Sequence, residues 1–195
     1  MTNKLAISLT ALLMTSACQN AATTTPGAPA QSEAEIAACL QDFFKLDEGT
    51  WAYMGTIARG NGKFRTFETT SVHASAGPDM WSYKSYGGDM GEEYGGELSY
   101  SKLVGTTLID FKDGKLSDEP GVKYTSCVGP DAEGRYQATQ EYRLPHIDDR
   151  WLSVKSVVWQ SEHGSYYAED IFDDTGRIIS RRSGVNTPVS EDSEN

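Results

Sequence analysis

Nine clusters of turn residues punctuate the chain between positions 60 and 176, and they constrain its fold more than any other feature. They are Gly60-Asn61-Gly62, Gly77-Pro78-Asp79, Gly87-Gly88-Asp89, Gly95-Gly96, Asp113-Gly114, Gly129-Pro130-Asp131, Pro145 with Asp148-Asp149, Glu162-His163-Gly164 and Asp173-Asp174-Thr175-Gly176. Glycine supplies positive φ, and Asp or Asn supplies the local hydrogen bonds, that tight reversals need. The runs between them are rich in Tyr, Trp, Val, Ile and Thr, which is strand composition. One run alternates cleanly, with Tyr136, Ala138, Gln140, Tyr142 and Leu144 on one face and Arg135, Gln137, Thr139, Glu141 and Arg143 on the other.

Nine turns imply about ten strands, with no second helix long enough for a parallel crossover. Consecutive antiparallel strands with one apolar face form a sandwich or a closed barrel, and only closure removes the exposed edges. Short sequential hairpins favour the barrel. The expected fold is therefore all-β, an antiparallel up-and-down barrel of about 8–10 strands. The glycine doublets at 87 and 95 have a second reading, as bulges that let the sheet curve.

One helix precedes the strands. Residues 32–46 open with a capping box, Ser32 with Glu35, and place Ile36, Leu40, Phe43 and Phe44 at helical spacing. Cys39 falls on or beside that apolar stripe.

Upstream, residues 1–17 have the layout of a secretory signal: one early positive charge at Lys4, an apolar run at 5–14, then Thr15, Ser16 and Ala17. The run is too short for a hydrocarbon core that needs roughly 20 helical residues. Thr-Ser-Ala-Cys resembles the bacterial lipobox, which implies acylation of Cys18. Gln19 after that cysteine implies an outer-membrane lipoprotein facing the periplasm, and ordinary cleavage would instead release the chain into the periplasm. Residues 18–31 carry no charge and no large apolar side chain and read as a flexible tether. Residues 32–184 then form the barrel domain, and 185–195 a disordered acidic tail.

Loss of residues 1–17 would remove only Lys4, leaving 16 basic against 28 acidic side chains, a net charge of −12. Phosphate-backbone binding needs a basic footprint, so nucleic acid is not an expected partner. Cys39 and Cys127 lie 88 positions apart in what the signal makes an oxidising compartment. A disulfide is favoured over two separate buried thiols, and closing such a loop stabilises by about 4–5 kcal/mol in the chain-entropy model.

Residues 43–55, FFKLDEGTWAYMG, resemble the start of lipocalin-like (calycin) domains, where a short helix leads to Gly-x-Trp, here Gly49-Thr50-Trp51. The resemblance implies a barrel with Trp51 closing one end and an arginine of the last strand, Arg181 or Arg182, packed across it. It also implies an interior able to hold a small ligand.

Aromatic residues are candidates to line that interior: Tyr83, Tyr100, Tyr124, Tyr136, Tyr142, Trp159 and Tyr166. Flat apolar walls with hydroxyl handles suit a fatty acid, a lipid fragment or a planar ring compound. The competing reading is a filled barrel acting as an envelope scaffold that docks other envelope proteins. A barrel enzyme ranks third, because no hydrolase elbow, phosphate loop or metal motif is present, and no catalytic residue, cofactor or metal ligand is assigned. His163, in a turn near a barrel mouth, is a candidate haem ligand by resemblance to haem-binding relatives of these barrels, but a lone turn histidine reads as a solvated side chain.

Overall fold

The computed structural model describes residues 30–59, 62–86, 98–145 and 151–189. The signal segment, Cys18, most of the tether, both glycine doublets, His146 and residues 190–195 lie outside them.

One helix, α1 (Glu33–Lys45), precedes eleven strands: β1 (Gly49–Arg59), β2 (Phe64–Gly77), β3 (Met80–Tyr86), β4 (Leu98–Val104), β5 (Thr107–Lys112), β6 (Lys115–Leu116), β7 (Val122–Val128), β8 (Tyr136–Pro145), β9 (Trp151–Ser161), β10 (Gly164–Phe172) and β11 (Ile178–Pro188). The ladder order is β4-β3-β2-β1-β11-β10-β9-β8-β7-β5, and β5 pairs back onto β4. Ten antiparallel strands thus close on themselves, and β6 is a two-residue stub on β5. Closure follows from the turns. In two of them, Asp131 and Asp173, each four residues before an arginine, accept backbone N–H bonds from the residues two and four places on. The arginine side chain then pairs with the same aspartate. Both segments are Asx-type turns.

Ser32 caps α1 as the sequence predicts: its Oγ accepts from the Glu35 N–H at 3.3 Å, and Glu35 accepts from the Ser32 N–H at 2.8 Å. Ile36, Leu40, Phe43 and Phe44 are buried against Leu103, Tyr124, Cys127 and Ala138. By strand register those residues point into the barrel, so α1 closes the lumen over them. Each buried large side chain contributes about 1.5–3 kcal/mol. Three further ties hold the helix. The Cys39–Cys127 disulfide, with Cα atoms 5.8 Å apart, joins it to β7. Gln160 Nε2 donates to the Leu46 carbonyl at its C-terminus, 3.0 Å away. Ahead of the helix, Gln31 both donates to the Cys127 carbonyl and accepts from its N–H, so the chain is already anchored at a residue expected to belong to the tether.

The last strand runs to Pro188, through four residues expected in the tail. Asn186 and Pro188 look like loop residues, yet Asn186 Nδ2 donates to Ser165 Oγ at 2.7 Å and Pro188 ends the strand opposite Trp51.

Candidate functional site

Residues directly opposite in a ladder share a face, so register identifies the inner surface. Ala138 faces Val158, then Tyr167, Gly184, Gly55 and Phe67 on successive strands from β8 to β2. Ala138 is fully buried beneath α1, and the whole line therefore runs around the lumen.

Two glycines meet on that line, Gly55 opposite Gly184. A Cβ on Gly55 would lie 2.6 Å from the Tyr53 hydroxyl and 2.7 Å from Phe67, and one on Gly184 would lie 2.7 Å from Tyr167. The bare backbone lets the Tyr53 ring lie down over the sheet. Tyr53 stacks on Tyr167 with centroids 5.7 Å apart at 21°, and meets Phe67 at 5.3 Å. All three rings are only half-buried.

Beside this row sits a polar group. Tyr142 of β8 donates to Glu169 Oε1 at 2.5 Å, and Arg182 Nη2 donates to the Tyr142 hydroxyl at 3.0 Å. Arg182 Nε lies 2.7 Å from Glu169 Oε2 as an ion pair. Its N–H is poorly aligned with that oxygen, and among the described residues it has no hydrogen-bond partner. Burial, with the Glu169 charge next, pushes the Tyr142 and Tyr167 phenols far above their usual range, so both remain protonated donors. Ser156, opposite both Gln140 and Glu169, is 1% exposed, and its hydroxyl also lacks a partner among the described residues.

Around Trp51 the inner face is polar in another way. His73 Nδ1 lies 2.5 Å from Asp47 Oδ2 and Nε2 lies 3.0 Å from Ser71 Oγ, while Trp51 Nε1 donates to the Asp47 carbonyl at 2.8 Å. The order Ser-His-Asp is that of a hydrolase relay. Ser71, however, is buried opposite Trp51 on a strand paired on both sides, β1 and β3, which leaves no backbone N–H there for an oxyanion. The chain of bonds ties the α1–β1 turn to β2.

The predicted lining residues divide. Tyr83 and Tyr142 face the lumen; Tyr83 is 42% exposed and meets the His73 ring edge-on at 4.9 Å. Tyr124 and Tyr136 point inward too, but Tyr124 is buried among the α1 side chains and Tyr136 packs against that cluster. Tyr100, Trp159 and Tyr166 face outward and are corrected. Tyr100 lies between the inward Ser99 and Ser101, and Trp159 packs on Tyr166 outside the barrel at 5.3 Å. The arginine expected on Trp51 is corrected as well. Trp51 opposes Pro188, whereas Arg181 and Arg182 oppose Ala58 and Ile57, about 20 Å along the strands. Arg181 pairs with Asp170 on the outer surface, and Arg182 belongs to the lumen group. His163 is exposed in the β9–β10 turn beside Glu162.

Sequence reasoning missed Phe67, Tyr167, Glu169 and Ser156 and gave Tyr53 no lining role. Tyr167, Glu169 and Ile171 share a parity in GSYYAEDIF, but Tyr166, Ala168 and Phe172 make the opposite parity equally plausible as the inner one. A cleft of about 470 Å³ lies mainly on the outer face, lined by Met54, Thr70, Val185 and Thr187, and also touches Tyr53.

In shape the chain is similar to an S-type phycobiliprotein lyase from Guillardia theta, with a TM-score of 0.50 and 10% identity over 78% of this chain and 93% of that one. It is equally similar to Rv2717c from M. tuberculosis, with a TM-score of 0.50 and 9% identity over 80% of this chain and 99% of that one. Both likenesses fit the calycin-like barrel and concern fold alone. No family model matches the sequence, and neither does any curated protein.

Proposed function

We propose that this protein is an envelope lipoprotein that binds a small amphipathic molecule in its barrel lumen. The observation that carries the reading is the inner aromatic row, Phe67, Tyr53 and Tyr167, whose rings point inward yet are only half-buried beside a buried polar group. A core packed solid would bury them; a wall that awaits a ligand leaves flat apolar surface with polar handles at one side. The likeness to a phycobiliprotein lyase is in keeping with small-molecule chemistry in such a barrel.

The disulfide is in keeping with an oxidising compartment, and the Thr-Ser-Ala-Cys stretch supports attachment through Cys18. Several acyl chains, at about 0.8 kcal/mol per buried methylene, would hold the chain to the membrane.

Tryptophan fluorescence of the protein lacking residues 1–18 tests the lumen reading. Trp51 and Trp81 point inward, so titration with amphipathic ligands should change their emission, saturably, at micromolar concentrations. Tyr53→Ala should weaken the response, and a flat titration across fatty acids and planar ring compounds counts against the reading. Incorporation of labelled palmitate, lost in Cys18→Ala, tests the anchor.

A further inference from the structure

The charges in the lumen bear on which amphipathic molecule fits. Arg182 would be the natural anchor for a carboxylate, but its charge is already met by Glu169, 2.7 Å away and buried. A ligand carboxylate placed on Arg182 would bring a second anion beside Glu169, with one cation between them, in a site where water screens little. Arg65, which shares the inner face at the open start of β2, makes an interaction of its own. The net charge of −11 adds further repulsion for an anion.

What the site leaves unsatisfied is of a different kind. The Ser156 hydroxyl is buried and has no partner among the described residues, and Arg182 Nε meets Glu169 Oε2 at 2.7 Å without a well-aligned hydrogen bond. Both lie around Glu169, which Ser156 and Arg182 oppose from the two neighbouring strands. A buried hydroxyl without a partner costs about 1–3 kcal/mol, which a bound polar group would relieve. An uncharged group that both donates and accepts, such as an amide or lactam edge, meets these groups without adding charge. Tyr167, on the same strand two residues before Glu169, continues the wall on which the attached ring would stack.

We infer that Glu169 is a specificity-determining residue: by cancelling the Arg182 charge, it makes the lumen select an uncharged, ring-bearing ligand with a donor–acceptor edge and reject carboxylates. The inference rests on the proposed lumen site. Its test uses two probes that share one ring, anthracene-9-carboxamide and anthracene-9-carboxylate, titrated into the protein lacking residues 1–18 by calorimetry at neutral pH. The wild type should bind the carboxamide at least tenfold more tightly. Glu169→Gln, which keeps the side-chain shape and exposes the Arg182 charge, should shift the ratio at least tenfold toward the carboxylate. Tyr166→Ser, on the outer surface and away from the lumen group, should preserve the wild-type preference. Equal or tighter carboxylate binding by the wild type, or an unmoved ratio in folded Glu169→Gln, overturns the inference and leaves the lumen site standing. Binding of neither probe by folded wild type overturns both. If Glu169→Gln fails to fold, the wild-type ratio decides alone.

Discussion

The wall of the barrel under α1 and the wall formed by β1, β2, β10 and β11 use the same alternating backbone for opposite ends. Under the helix the inward positions are Leu103, Tyr124, Cys127 and Ala138, sealed by Ile36, Leu40, Phe43 and Phe44 and stapled by the disulfide. On the other wall the inward positions are half-buried rings over bare glycines, with a buried Glu169 and a half-buried Arg182 beside them. Apolar closure on one side supplies stability that the other side forgoes by keeping charge inside and rings partly uncovered. One wall of the barrel is thus filled, and the other carries half-buried rings beside an ion pair.

Four measurements would break or sharpen that contrast. The largest effect is expected from the covered wall: the double variant Cys39→Ser and Cys127→Ser should lose about 2–5 kcal/mol in urea unfolding, with helix signal lost first. Stability unchanged in the double variant would show that α1 is held by packing alone. On the other wall, Arg182→Ala leaves the Glu169 charge buried and unpaired and should cost about 3 kcal/mol. A loss near zero would mean that water already reaches Glu169.

Alkaline pH separates the walls without mutation. Burial raises the phenol of Tyr124 under the helix, and those of Tyr142 and Tyr167 on or beside the open wall, above the value near 10 of an unfolded chain. The folded state therefore keeps protons that the unfolded state loses, so stability is level below about pH 10 and falls as pH rises beyond it. Tyrosinate absorbance should show these three titrating only with unfolding. Earlier ionisation of Tyr142 and Tyr167 in the intact fold, with Tyr124 still protonated, would show the open wall to be wet. The smallest effect is expected outside both walls: Tyr166→Ser, on the outer surface, should shift stability by no more than about 0.5 kcal/mol and leave ligand titration unchanged.

Elements whose two faces differ sharply were legible in the sequence. The alternation in β8 set Tyr136, Ala138 and Tyr142 inward because nearly every residue of the other parity is charged or amide-bearing. The capping box placed α1, and the turn residues placed most hairpins. Strand β9, WLSVKSVVWQS, carries large apolar residues on both faces, so Trp159 could not be assigned without its partner strands. The same ambiguity misplaced Tyr166 and Tyr100. Glu169 and Arg182 meet only through the β10–β11 register, and an inward ion pair with a buried carboxylate runs against the expectation that charged residues face water. The glycine pair that seats Tyr53 is likewise a product of register, since Gly55 and Gly184 are far apart in sequence.

Native mass spectrometry of the intact protein purified from the cells that make it tests the central claim most directly. A lumen site predicts a small, uncharged molecule retained at one per chain in the wild type and lost from Tyr53→Ala. Wild-type protein carrying no such molecule, and acquiring none from a membrane extract, would contradict it.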